Sequence, residues 1–440
     1  MWTQPALARL TGKAKWPTKS SNFSRDGILR STKPIRSRLL RGFALVLMAA
    51  IAGSIPPAAA QANQLRSEFR ATLDRNEAKA FDDYIAAQIF HDAALDAYWA
   101  HVEKERDVRR AKRRRKQPIA ANDYVHEQPP VYQGPSLSKS LARRWWLFRQ
   151  RRAEKRPEKP RTRLPSVADF LDSARKHYGF VPDRVSEHEF KERYAREALA
   201  LGLSGDQVVR VYALETSGLG TADMQAGIHP ITKKGEPIST AMGYAQLLAA
   251  NSINELSKHG NEFVARLRAM AKRSAPGSER QHALLTKAAA LARMTRKARS
   301  IPYRWSRHVS FSKTSVGRGI HAINLDGDIG PWLQVIKLKG LRTTARKAGY
   351  DRLKGAEIEL MNLAGPGTGL EMMTPAGRKA ASTNFFSRAA YYRNTIVRGK
   401  TSEQLLAALD ERMDENLKNS GAVEFLAIFA RLEKERRVGR

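Results

Sequence analysis

"VVRVYALETSGLG", Val208 to Gly220, sets apolar side chains at Val208, Val211 and Tyr212, and one further turn of that helical face lands on Glu215. The stretch reads as an apolar helix with an acidic group in its last turn. Gly218 and Gly220 mark its stop, so Glu215 also lies at the negative end of the helix dipole. Burial and the dipole both disfavour the ionised form, which predicts a raised pKa and a proton donor near neutral pH. The competing reading is a Glu that rotates out to solvent at a frayed helix end.

The surroundings are helical. "SGDQ", Ser204 to Gln207, supplies a cap for this helix, and others are expected near Val167 to Tyr178, Glu187 to Leu201, Ala241 to Lys258, Gly260 to Arg273 and Glu279 to Arg299. Strand signals are sparse, the best being "HVSFS" at His308 to Ser312. A mainly α domain over residues 166–440 is indicated. Upstream, Asn63 to about Arg106 has no proline or glycine and predicts one or two long helices. This helical segment, 63–116, ends in "RRAKRRRK", Arg109 to Lys116, a like-charge block expected to be solvated or bound to a polyanion. Prolines from Pro118 to Pro165 then mark a basic linker, 117–165, interrupted by "LARRWWLFRQRR". Trp145, Trp146 and Phe148 among arginines suit stacking on bases or sugars, or a membrane surface. The alternative is a short amphipathic helix docked on a neighbouring domain.

With 440 residues, 42% of them hydrophobic, the chain is long enough for two or three domains and a real core. Its formal charge of +35 implies attraction to a polyanion: nucleic acid, an anionic membrane surface, or an anionic polymer of the cell envelope. The absence of cysteine excludes disulfide scaffolds, thiolate metal sites and cysteine nucleophiles. Lys33, Arg36, Arg38 and Arg41 precede an uncharged apolar run, Phe43 to Ile55, and Ala58 to Ala62 offers small-x-small cleavage sites. Residues 1–62 therefore read as a basic leader plus signal peptide, cut after Ala60 or Ala62, and predict an exported, periplasmic or envelope-associated protein. A retained membrane anchor or a plain buried helix are the alternatives.

Two further segments follow Glu215. In "STAMGYAQLLAANS", Ser239 to Ser252, Gly243 precedes an apolar helix carrying one amide, Gln246; "ELMNLAGPGTGLEMM", Glu359 to Met373, is a helix ending in a Gly- and Pro-rich turn. In order, Glu215-Thr216-Ser217-Gly218, Gly243-Tyr244-Ala245-Gln246-Leu247 and Asn362-Leu363-Ala364-Gly365-Pro366-Gly367 resemble the signature of the lytic transglycosylases of the lysozyme-like superfamily: Glu-Ser, then Gly-Leu-Met-Gln, then Ala-Tyr-Asn-Ala-Gly-Pro-Gly. The match spans roughly Ser186 to Val397. Where the family has Tyr-Asn this chain has Asn362 and Leu363, leaving Tyr212, Tyr244, Tyr391 or Tyr392 as stand-ins for the missing aromatic group. A longer gap between Glu215 and Gly243, and a basic helical pair at about 258–299 that looks inserted, are the other departures.

The resemblance implies a lysozyme-like helical domain that cleaves the MurNAc-GlcNAc bond of peptidoglycan without water. One glutamic acid, here Glu215, would protonate the glycosidic oxygen and then deprotonate the sugar's C6 hydroxyl to close a 1,6-anhydro ring. Ser217, Gly243, Tyr244, Gln246, Asn362, Gly365 and Tyr391 are the substrate-binding positions so implied. Gln246 has a competing reading as a core amide satisfied by backbone, and Asn362 as a helix C-cap. No cofactor and no metal site are expected: "GPGTG" lacks phosphate-loop spacing, the histidines are scattered, and Asp326 and Asp328 read better as a polar turn before a helix than as a second carboxylate or calcium ligands. Peptidoglycan strands are the expected partner, with anionic membrane or wall polymers held by the basic segments and no nucleic acid. The competing functions are a non-catalytic wall-binding or assembly protein on the same fold, and a basic nucleic-acid-binding protein.

Overall fold

The computed structural model describes residues 57–154 and 163–438, so the basic leader and the apolar run Phe43 to Ile55 lie outside the described residues. The chain is mainly helical, and among the described residues strand pairing is limited to isolated bridges. It divides into two compact units.

The first unit holds the described residues up to 89 and 133–154. Helix α1 (Pro57–Arg70), the start of α2 (Arg75–Arg114) and α3 (Lys139–Glu154) build it. Phe69, Phe81, Leu141 and Trp145 form its core, with the Phe69 ring 5.1 Å from Phe81 and 4.9 Å from Trp145. Arg144 pairs with Glu77 and Arg152 with Glu68, fixing α3 against α2 and α1. The expected linker is therefore a packed helix over this stretch, because apolar residues at 141, 145 and 148 give it a face to bury.

The second unit holds residues 90–132 and 163–438. Here α2 continues to Arg114, and the like-charge block is divided: Arg110 and Arg113 to Lys116 are exposed, as expected, but Arg109 is 1% exposed. Its guanidinium donates to the Glu371 carboxylate (3.2 Å) and to the carbonyls of Asp123 (2.8 Å) and Asn384 (3.0 Å). Helical spacing from Val102, through Arg106 to Arg109, turns that side chain inward, and the converging oxygens offset its desolvation. Residues just beyond, expected as linker, are also fixed: Asn384 accepts from Val125 N (3.0 Å) and donates to Val125 O (2.6 Å).

Helices α4 (Val167–Tyr178), α5 (Glu187–Ala200), α6 (Gly205–Thr216), α7 (Ala249–Arg273), α8 (Glu279–Arg299), α9 (Trp305–Ser312) and α10 (Ser315–His321) follow. After them come α11 (Gly330–Lys347), α12 (Gly355–Ala364), α13 (Pro366–Met373), α14 (Pro375–Arg378), α15 (Arg388–Arg393), α16 (Ser402–Asn416) and α17 (Ser420–Val438). "HVSFS" is thus helical. His308 and Ser312, four apart, turn inward together, and five residues of apparent alternation were too short to fix a period of two.

Two apolar clusters fill this unit, and α11 belongs to both. Val335, Leu338 and Leu341 join α5, α6, α12, α16 and α17, whereas Leu333 and Ile336 join α4, α7, α8 and α10. The α7–α8 pair is part of the second cluster through Phe263, Leu267, Leu284 and Leu291. Gly260 permits their contact, since a Cβ there would meet Thr295 Cγ2 at 2.4 Å. Residues 241–248, expected to open α7, instead form a tight turn in which Met242 and Leu247 exchange two 3.0 Å backbone bonds.

Candidate functional site

Helix α6 starts at the expected cap: Ser204 Oγ accepts from Gln207 N, and Gln207 Oε1 accepts from Ser204 N. Val208, Val211 and Tyr212 are buried, and Glu215, one turn on, is half-buried on the same face. The helix ends one residue earlier than the glycines suggested, with Ser217 itself left-handed at φ 53°. Gly218 serves a different need, because a Cβ there would lie 2.3 Å from the Asn416 carbonyl. Asn416 Nδ2 donates to Ala213 O (3.0 Å) and Asn419 Nδ2 to Ser217 O (2.9 Å), satisfying carbonyls the helix end leaves open. Glu215 is thus held on an anchored turn, against the frayed-end reading.

Asn362, on α12, donates its Nδ2 to Glu215 Oε1 at 3.0 Å. The same nitrogen reaches both oxygens of Glu359, at 3.3 and 3.2 Å, one turn back on α12. Glu215 and Glu359 also hydrogen-bond to each other, so two carboxyls share one amide donor and titrate as a pair. Burial lifts Glu215 above the usual carboxyl range, with Lys337 as the chief opposing influence. Burial first and the Glu215 charge second push Glu359 well above that range. Glu359 is the more strongly raised of the two, which makes it the donor in their hydrogen bond. Burial likewise pulls Lys337, on α11, below the ordinary lysine value, against the attraction of Glu215, Glu359 and Glu255.

The second motif reaches this site through α11. Gly243 has φ 79° and a Cβ there would meet Gln334 Nε2 at 2.6 Å, while Gln334 Oε1 accepts from Ala245 N at 3.0 Å. Gln334 lies one turn before Lys337, so one helix both pins the Gly243 turn and presents the ammonium to the carboxyl pair. Gln246 has φ 41°, and its amide nitrogen donates to Met224 O (3.2 Å) and Gly243 O (2.8 Å). That is the arrangement of an amide satisfied by backbone.

Other implied positions serve elsewhere. Tyr244 is 1% exposed, packs on Tyr212 (4.9 Å between rings) and donates to Glu187 Oε2 at 2.7 Å. Glu187 in turn accepts Ala222 N on both oxygens at 3.0 Å, fixing the loop after α6. Tyr391 is buried against Trp99, and its hydroxyl accepts from Gly399 N at 2.8 Å. Gly365 has φ 90° at the α12–α13 turn, and Ser217 is an exposed cap residue. Asp326 and Asp328 are held by Lys287, at 2.9 and 2.6 Å, and Asp326 Oδ1 accepts from Ile329 N, as befits a turn before α11. Among the described residues no three His, Asp or Glu side chains gather in a metal-binding arrangement.

Sequence reasoning missed Glu359 and Lys337. The signal for Glu359 was present: it is the inward-facing acid of "IELMNLA", three positions before Asn362. Lys337 carried no such mark, as a lysine amid an apolar run is ordinarily a solvent-facing residue. No family model, curated protein or solved structure matches the chain.

Proposed function

We propose that the chain is an exported peptidoglycan lytic transglycosylase, with Glu215 as its single acid and base on a lysozyme-like helical domain. One observation carries this reading: the Glu of the first motif and the Asn of the third, 147 positions apart, meet in a 3.0 Å hydrogen bond at a carboxyl whose pKa is raised. Protonated Glu215 gives its proton to the glycosidic oxygen as the bond to the anomeric carbon breaks. The substrate's acetamido group stabilises the resulting centre. The Glu215 carboxylate then takes the C6 hydroxyl proton as that oxygen bonds to the anomeric carbon, closing the 1,6-anhydro ring and restoring the acid. Asn362 and Glu359 donate to Glu215 while it is ionised, steadying its carboxylate between the two transfers.

The contact between Glu359 and Glu215 favours this chemistry over two-carboxylate hydrolysis. Acid and nucleophile or base in a glycosidase stand about 5 to 9.5 Å apart with the sugar between them. Glu359 instead hydrogen-bonds directly to Glu215 and shares its amide donor. The second reading, a wall-binding protein without catalysis, is favoured by one feature: Tyr244, Gln246 and Tyr391 spend their polar atoms on internal bonds.

Digestion of purified sacculi tests both. Soluble products with 1,6-anhydro ends support the transglycosylase, reducing ends point to a hydrolase, and binding without release to a wall-binding protein. Glu215→Gln is expected to abolish release, by roughly a hundredfold or more, while leaving sedimentation with insoluble wall unchanged.

A further inference from the structure

Helix α3 has two chemically different sides. Leu141 and Trp145 turn into the core of their unit with Phe148 packed beside them, and Arg144 and Arg152 at the flank pair with Glu77 and Glu68. On the opposite side, helical spacing gathers Lys139, Arg143, Trp146, Leu147, Gln150 and Arg151 into one stripe. Trp146 is 52% exposed and Leu147 39%, side by side. Lys139, Arg143 and Arg151 stand outside the ion pairs that α3 makes among the described residues.

This is an apolar seam bounded by unneutralised cations at both ends, on a rigid helix. At a lipid surface the indole and isobutyl groups enter the headgroup and acyl boundary, while the long arginine and lysine stems let their heads stay at phosphate level. Single-stranded nucleic acid suits the stripe less well. Leu147 offers no planar face, and Trp145 and Phe148, which could have extended a stacking surface, are turned toward the core. Among the described residues no helix is long and apolar enough to cross a membrane, so the fitting geometry is a helix lying along the surface.

We propose that the Trp146–Leu147 stripe of α3 is a docking face for an anionic phospholipid surface. It stands independently of the carbohydrate chemistry assigned to Glu215.

Because the chain has no cysteine, Gln150→Cys provides a unique labelling site within the stripe. Ser300→Cys provides a control in the second unit, in the basic neighbourhood of Arg296, Lys297 and Arg299. The whole chain, labelled with an environment-sensitive dye, is titrated with phosphatidylcholine vesicles, with vesicles containing phosphatidylglycerol, and with a short oligonucleotide. The label at 150 is expected to brighten and shift to the blue on the anionic vesicles alone, while that at 300 stays in water. Trp146→Ser with Leu147→Ser should weaken the partitioning read at position 150 by about tenfold or more. Arg143→Ser and Arg151→Ser should weaken it by about fivefold each. Since these side chains are exposed, unchanged thermal melts check that the variants fold. Vesicle binding with the 150 label still in water would place the contact elsewhere and overturn the proposal, as would an equal response to the oligonucleotide.

Discussion

Asn362 bridges Glu215 and Glu359 through a single nitrogen, 3.0 Å from the first carboxyl and 3.2 Å from the second. That donor favours the charged form of both acids, but burial, and for Glu359 the neighbouring Glu215 charge, outweigh it, which is why the pair retains a proton after an isolated glutamate would have lost it. Lys337 then decides where that proton is lost, and each group of the site has its own expected signature.

Lys337→Met removes the largest influence holding the Glu215 pKa down. A proton donor is active below its pKa and fails as pH rises through it, so the alkaline limb of the pH–activity profile should move to higher pH. Sacculus digestion across pH 5 to 9 is the measurement. A limb that stays put or moves toward acid would disconnect Lys337 from the acid.

Glu359 acts on Glu215 by donating a hydrogen bond, which lowers the Glu215 pKa. Glu359→Leu deletes that donor and should move the alkaline limb upward with a fall in kcat and little change in KM. Glu359→Gln keeps a donor and should restore a near-wild-type profile. Equal profiles for both variants would reduce Glu359 to a packing residue.

The Gly243 turn makes a stability prediction that a substrate-contact role alone would not. Gln246→Ala loses two bonds to backbone carbonyls from a residue at φ 41°, and should cost about 1–2 kcal/mol. Gly243→Ala, with φ 79° and Gln334 at 2.6 Å from the new methyl, should cost about 1–3 kcal/mol. Gly365→Ala is strained at φ 90° but meets nothing within 4 Å, and should cost less than Gly243→Ala. Denaturant melts rank the three. Gly365→Ala proving the worst would contradict the close approach at Gly243.

His321 predicts acid sensitivity. The ring is fully buried, gives Nε2–H to Thr240 O (2.8 Å) and accepts from Ser252 Oγ at Nδ1 (2.9 Å); burial lowers its pKa to about 4. The unfolded chain titrates near 6.5 and so binds more protons between these values. Stability from this residue is therefore full above about pH 6.5 and declines as pH falls to 4, by about 3 kcal/mol in all. His321→Gln should flatten that part of the stability curve between pH 7 and 4. A variant with the wild-type slope would assign the loss to other groups.

What the sequence determined by itself was local. Helix class, the Ser204 cap and the acid at the end of the Val208, Val211, Tyr212 face follow from spacing along one helix, where neighbours are set by the 3.6-residue turn. The glycine turn that ends α12 at Gly365 and the polar turn at Asp326 were legible for the same reason, whereas Asn362 is no C-cap but lies within α12. The tertiary structure alone decided which groups from separate helices meet. Packing of α6, α11 and α12 brings Glu359 and Lys337 to Glu215, and packing of α2 buries Arg109 against Glu371, 262 positions away. It also gave Gln246 and Tyr244 internal partners that their motif did not foretell. A charge in sequence looks the same whether it ends in water or in a core. Its fate depends on whether folding supplies an opposite charge or a carbonyl to replace the water, and that is a property of contacts between distant segments.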